Sequence, residues 1–71
     1  MAKRIRTVHR GVQTLYRLGD GRYALVSHSS KVKETAAFLA DENGKVLDWR
    51  TPLVCLGGRV RHSKVLAHLE G

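Results

Sequence analysis

Glu34-Thr35-Ala36-Ala37-Phe38-Leu39-Ala40-Asp41-Glu42-Asn43-Gly44-Lys45-Val46-Leu47-Asp48-Trp49 is the stretch on which the fold turns. An apolar run enters a polar turn ending in Gly44, and a second run closes on the only tryptophan. Asn43-Gly44 tolerates the positive φ that a tight turn requires, so the stretch predicts a β-hairpin. Phe38 and Trp49 are the largest apolar side chains of the sequence. Each buries roughly 150–250 Å² when fully packed.

On the N-terminal side, residues 12–18 read as a strand, with Val12, Thr14, Tyr16 and Leu18 on one face by the period of two. Asp20-Gly21 is a hairpin signal, and Arg22-Tyr23-Ala24-Leu25-Val26-Ser27 returns as the partner strand. Both of its faces carry apolar residues, which places it inside a sheet. His28-Ser29-Ser30-Lys31-Val32-Lys33 is then a polar loop between two hairpins. On the C-terminal side, Pro52 lacks an N–H for a sheet ladder and ends or bends the fourth strand. Leu53-Val54-Cys55-Leu56 reads as a fifth strand or a segment over the end of the core, and Gly57-Gly58 breaks it. Ser63 suits a helix N-cap, and Val65, Leu66 and Leu69 form a stripe that must dock, because two turns of helix are not stable alone. The fold class expected is α+β: a small antiparallel sheet of about four strands, in two hairpins, with one short C-terminal helix packed on it. Residues 1–11 carry little to bury and read as a basic arm in preference to an edge strand, leaving residues 12–71 as the domain.

Seventy-one residues make one domain. A chain of this size buries only about 60% of its unfolded surface, which leaves little room for a deep catalytic pocket as well as a core. One cysteine, Cys55, rules out an internal disulfide and favours a reducing compartment, although a lone thiol can also bridge a dimer. No apolar run approaches the roughly 20 residues of a membrane span, and no apolar stretch follows the basic opening, so neither membrane insertion nor a secretory signal is expected. The expected location is the cytoplasm.

Net charge is +7 and its placement is uneven. Lys3, Arg4, Arg6, Arg10, Arg17, Arg22, Lys31 and Lys33 face a single acid, Asp20, in residues 1–33, whereas residues 34–71 balance five bases with five acids. Such asymmetry suggests a polyanion or an acidic protein surface as partner, and these eight side chains are the candidate nucleic-acid contacts. A generally basic protein whose cations simply face water reads the same way. Gly57-Gly58-Arg59-Val60-Arg61-His62-Ser63 adds a possible anion contact through Arg59, Arg61 and Ser63, though the glycines also suit a plain turn. Tyr16 and Tyr23 flank the Asp20-Gly21 turn beside Arg17 and Arg22, and across a two-residue loop they would be neighbours, either a stacking pair for a base or a core pair. His9, His28, His62, His68 and Cys55 lack the close spacing of a metal site, so no metal and no cofactor are expected. Cys55 sits in an apolar run where a thiol is buried and inert, and no catalytic constellation is visible, so the protein is not expected to be an enzyme.

Glu34-Thr35-x-x-Phe38-x-Ala40-Asp41-x-x-Gly44-x-Val46-x-Asp48-Trp49, with Gly57-Gly58, His62 and Val65-Leu66-x-x-Leu69, resembles a pattern in small phage and prophage proteins of actinobacteria. The resemblance spans residues 22–70 and leaves the basic opening outside. It implies an accessory protein of a mobile element that binds host or phage components, and it carries no catalytic or binding residue over. Two functions are compatible with all of this. One is non-enzymatic nucleic-acid binding, largely through backbone electrostatics. The other is a protein-interaction module or inhibitor of a host protein, with homodimerisation through an open sheet edge compatible with either.

Overall fold

The structure is a computed structural model and describes residues 3–8 and 13–70. Five strands form one antiparallel sheet: β1 (Lys3–Val8), β2 (Gln13–Arg17), β3 (Tyr23–Ser29), β4 (Glu34–Ala40) and β5 (Val54–Gly57). They lie side by side in chain order, and helix α1 (His62–Glu70) follows. The α+β class expected from the sequence holds, with five strands where about four were expected. As its two apolar faces require, β3 is the central strand.

Two departures account for the strand count. Over Lys3–Val8 the chain is a strand paired with β2, where the sequence reading prefers an arm. An edge strand needs only one neighbour, so its backbone can pair while Lys3 and Arg4 stay in water. A bulge between Arg4 and Arg6 sets Ile5 out of register. Second, the central hairpin is interrupted. Its turn closes as expected, with Asp41 N–H donating to the Lys45 carbonyl (2.9 Å) and Gly44 at φ +88°. Its return arm keeps one bridge, Ala40 to Val46, and a bond from Leu47 N–H to the Leu39 carbonyl (2.9 Å). The chain then leaves the ladder. The Asp48 carboxylate accepts the Arg50 N–H (2.8 Å), Pro52 has no N–H to give, and pairing resumes with Leu53 N–H donating to the Ala37 carbonyl (2.7 Å). Strand β5 is thus the hairpin's second arm, recovered after an excursion over residues 48–52.

Loop length decides which residues share a face. Leu18 N–H donates to the Arg22 carbonyl (2.7 Å), so the β2–β3 loop holds three residues, Gly19, Asp20 and Gly21, the last at φ +92°. A two-residue loop would set Tyr16 and Tyr23 on one face. The third residue shifts the register by one, pairing Tyr16 with Ala24 and Tyr23 with Arg17 on opposite faces. The expected tyrosine pair therefore does not exist.

The sheet buries a cluster on each face. On the helix side, Val26 and Ala37 pack with Val65 of α1, flanked by Tyr16, Val54, Leu56, Val60, Leu66 and Leu69. Complete burial of Val65 contributes about 1.5–3 kcal/mol and fixes the helix on the sheet. On the other side, Leu15, Leu25 and Ala40 pack with Val46, flanked by Tyr23 and Phe38. That face has no helix. Val46 packs against its β4 side, and Trp49 leans on Phe38 with ring centroids 4.9 Å apart.

Candidate nucleic-acid interface

In a sheet whose strands follow chain order, alternate connections meet at the same end. The β3–β4 turn (residues 30–33) and the β5–α1 link (residues 58–61) therefore lie together, and the Gly58 N–H donates to the Lys33 carbonyl (2.7 Å). Lys31, Lys33, Arg59 and Arg61 are all exposed there, and exposed Lys64 joins them from the first turn of α1. The helix N-terminus at this end adds its own partial positive charge, with no acid in that first turn to offset it. Two residues hold the left-handed backbone that shapes the end: Gly58 at φ +79° and Lys33 at φ +55°.

Thr35 ties this end to the sheet. Its fully buried hydroxyl donates to the Gly58 carbonyl (3.0 Å) and accepts the Val60 N–H (3.3 Å). With its one proton committed to Gly58, it accepts from His28, whose Nδ1 lies 3.0 Å away and so carries the proton. A second anchor is His62, whose Nδ1 lies 3.0 Å from the Tyr16 hydroxyl with the rings edge to face. Burial pushes the His62 pKa down, and one hydrogen bond joins its Nδ1 to the Tyr16 oxygen. Burial likewise raises the Tyr16 pKa, against the nearby charge of Arg4 and a hydrogen bond from Thr14. Held by this contact, the chain enters the helix at His62. The Arg61 carbonyl accepts from Lys64 (3.0 Å) and Val65 (3.3 Å), so Arg61 takes the N-cap place expected of Ser63, which is exposed in the first turn.

The opposite end gathers the β2–β3 loop, the turn after β4 and the C-terminus of α1. Three of its carboxylates are engaged with the chain itself, while Glu42 is exposed. Asp20 accepts the Arg22 N–H (3.0 Å) and its Nε–H (2.6 Å), Asp41 accepts the Asn43 and Lys45 N–H groups (both 2.9 Å), and Glu70 accepts the Gly19 N–H (3.0 Å). The bonds from Arg22 hold the Asp20 pKa below its usual value. A shallow recess between Leu18, Gly19, Asp20, Arg22, Leu69 and Glu70 marks this end.

The eight sequence-derived contacts thus do not form one surface. Lys31 and Lys33 join the anion group of Arg59 and Arg61. Lys3 and Arg17 face each other across β1 and β2 toward the other end, with Arg4 opposite Tyr16. Arg22 is paired with Asp20, Arg6 stands in register with Leu15, and Arg10 lies outside the described residues. Among the described residues Arg22–Asp20 is the only ion pair. Lys64 belongs to the cationic end but escapes a reading by sequence halves, since it lies in the balanced one.

Cys55 departs from expectation: it is exposed, because β5 is an edge strand. Its Sγ–H donates to the Glu34 carboxylate (3.2 Å), and that bond, with some desolvation and the carboxylate's charge, pushes the thiol pKa up. Among the described residues no three acidic, histidine or cysteine side chains converge to hold a metal, and no helix is long and apolar enough to cross a membrane. No family model matches the chain, and no curated protein or solved structure matches it significantly.

Proposed function

We propose that the protein is a non-enzymatic nucleic-acid-binding accessory protein, working in the cytoplasm for a phage or other mobile element, and that its main phosphate contact is the cationic end of the sheet. The observation that supports this is that the segments bearing Lys31, Lys33, Arg59 and Arg61 are joined at one end of the sheet by the Gly58–Lys33 bond, with Lys64 in the helical turn that follows, all five exposed and free of ion pairs among the described residues. Phosphates bound there would release counterions, so affinity would fall steeply with salt, by a slope of about 0.9 per phosphate on duplex DNA. A charge-reversed variant, Lys33→Glu with Arg59→Glu and Arg61→Glu, tests it by anisotropy of labelled DNA and RNA across a salt series. The expected result is a loss of roughly 100-fold or more at low salt and a flatter slope. Unchanged binding by the variant, or no binding by the wild type at low salt, would falsify the reading. Removing residues 1–10 is a poorer test, because it takes away strand β1 along with its charge.

Exposed Leu47 and Trp49 support a second reading, a protein-interaction module or host inhibitor. Its affinity would persist at moderate salt, because apolar contact is not screened. Homodimerisation by strand addition is less suited to the β1 edge, where Lys3 and Arg4 and the bulge at Ile5 oppose a second strand.

A further inference from the structure

The open face of the sheet carries a feature that charge alone leaves unused. Lys3 pairs with Arg17, and Arg17 with Tyr23, so the three share this face. Phe38 pairs with Leu25 and stands diagonal to Tyr23 on the same face, and Trp49 tilts against Phe38 at 53°. Two cations and three rings therefore share one face, Lys3, Arg17 and Tyr23 in one cross-strand row and Phe38 with Trp49 two residues further along β4. Adjacent strands lie about 4.8 Å apart, which sets Arg17 about 10 Å and Lys3 about 14 Å from β4.

Trp49 has the largest apolar side chain, yet 59% of it is exposed, with Leu47 beside it at 60%. Burying Trp49 would be the largest single gain open to so small a core. Instead Phe38 presents it to solvent, with Tyr23 half-buried alongside. Asp48, next in sequence, turns its carboxylate onto the Arg50 N–H. Rings sharing a face with cations suit a ligand that offers flat apolar surfaces at intervals along an anionic backbone. Duplex bases stack on one another and withhold their faces, whereas unpaired bases offer them.

We propose that the open face is a stacking platform for an unpaired stretch of nucleic acid, one base lying on Trp49 and its neighbour over Tyr23, with the backbone led toward Arg17 and Lys3. This rests on the nucleic-acid reading above and extends it from backbone contact to base contact.

Trp49 is the only tryptophan, so its emission reports on this face alone. The full chain is titrated at low salt with oligothymidylate, with oligouridylate and with a duplex of equal length, while anisotropy of the labelled strands reports binding independently. The expected result is that at least one single strand quenches Trp49, while the duplex binds with emission unchanged. Trp49→Leu keeps apolar bulk at an exposed site, and should weaken that single strand by roughly 5- to 100-fold, the range for loss of one aromatic–base stack, and spare the duplex. Arg17→Ser should weaken the same single strand more than the duplex. Single strands that bind with unchanged emission and equal affinity for Trp49→Leu overturn the platform and leave the backbone reading standing. Equal quenching by the duplex overturns it as well. No binding of any nucleic acid overturns both readings.

Discussion

At one end of the sheet Asp20, Asp41 and Glu70 accept N–H groups from a loop, a turn and a strand end; at the other, Lys31, Lys33, Arg59, Arg61 and Lys64 pair with no acid among the described residues. The difference follows from what each group can do for a turn. Carboxylates are short acceptors and suit the orphan N–H groups of tight loops. Ammonium and guanidinium groups only donate, so they cannot close such a loop. The cationic end is closed by other means: left-handed backbone at Lys33 and Gly58, and the buried hydroxyl of Thr35. These three acids are engaged in closing turns, while the five cations make no ion pair among the described residues.

The strongest way to break that contrast is Thr35→Val, which keeps the shape and removes the hydroxyl. Gly58, Val60 and His28 each lose a partner, so stability should fall by about 2–3 kcal/mol, as read by urea or thermal unfolding. A loss under about 0.5 kcal/mol would mean that the link after β5 is held by packing alone. Asp41→Ala, at the acidic end, should cost about 1 kcal/mol, because two exposed N–H groups exchange the carboxylate for water and the turn loosens, with nucleic-acid affinity unchanged or slightly raised. If it cost affinity, the division of roles between the ends would fail.

Lys33→Gly sharpens the comparison. Glycine adopts φ +55° without a Cβ clash, so stability should rise, by no more than about 1 kcal/mol, while duplex affinity drops. A variant that gains stability and keeps its affinity would remove Lys33 from the interface. The smallest effect concerns pH. Burial holds the His62 pKa below its ordinary 6.5, so as pH falls through 6.5 the unfolded chain binds a proton that the folded chain refuses. His62 therefore favours folding fully above pH 6.5, and this is lost toward the lower folded pKa. Melting curves at pH 7.5 and 5.5 should show a smaller pH dependence in His62→Gln than in the wild type. An equal dependence would place the titrating group elsewhere.

Much of the fold is legible in the sequence because it rests on local chemistry: alternation in β2 and β3, glycine at the turns, and the Val65-Leu66-Leu69 stripe. What is not legible depends on counts the residues do not announce. Asp20-Gly21 signals a turn, but whether Gly19 lies in the ladder or the loop decides which face Tyr23 takes, and that single residue separates the two tyrosines. The cations of β1 resemble a solvated arm because an edge strand needs no apolar face. The cationic end is the least visible feature. Residues 31–33 and 58–64 are far apart in sequence, and only strand order tells that alternate connections share an end. The face shared by Lys3 and Trp49 is hidden for the same reason, since it spans four strands.

The excursion at residues 48–52 has an evolutionary consequence. Val46 holds to Ala40 before it and Val54 to Ala37 after it, so the sheet's register is pinned independently on both sides. Lengthening such a loop costs little closure entropy, about 0.6 kcal/mol for each doubling. Insertions, deletions and new side chains can accumulate around Trp49 while the scaffold beneath keeps its alignment. The molecule thus has a place where exposed side chains can change faster than the fold beneath them.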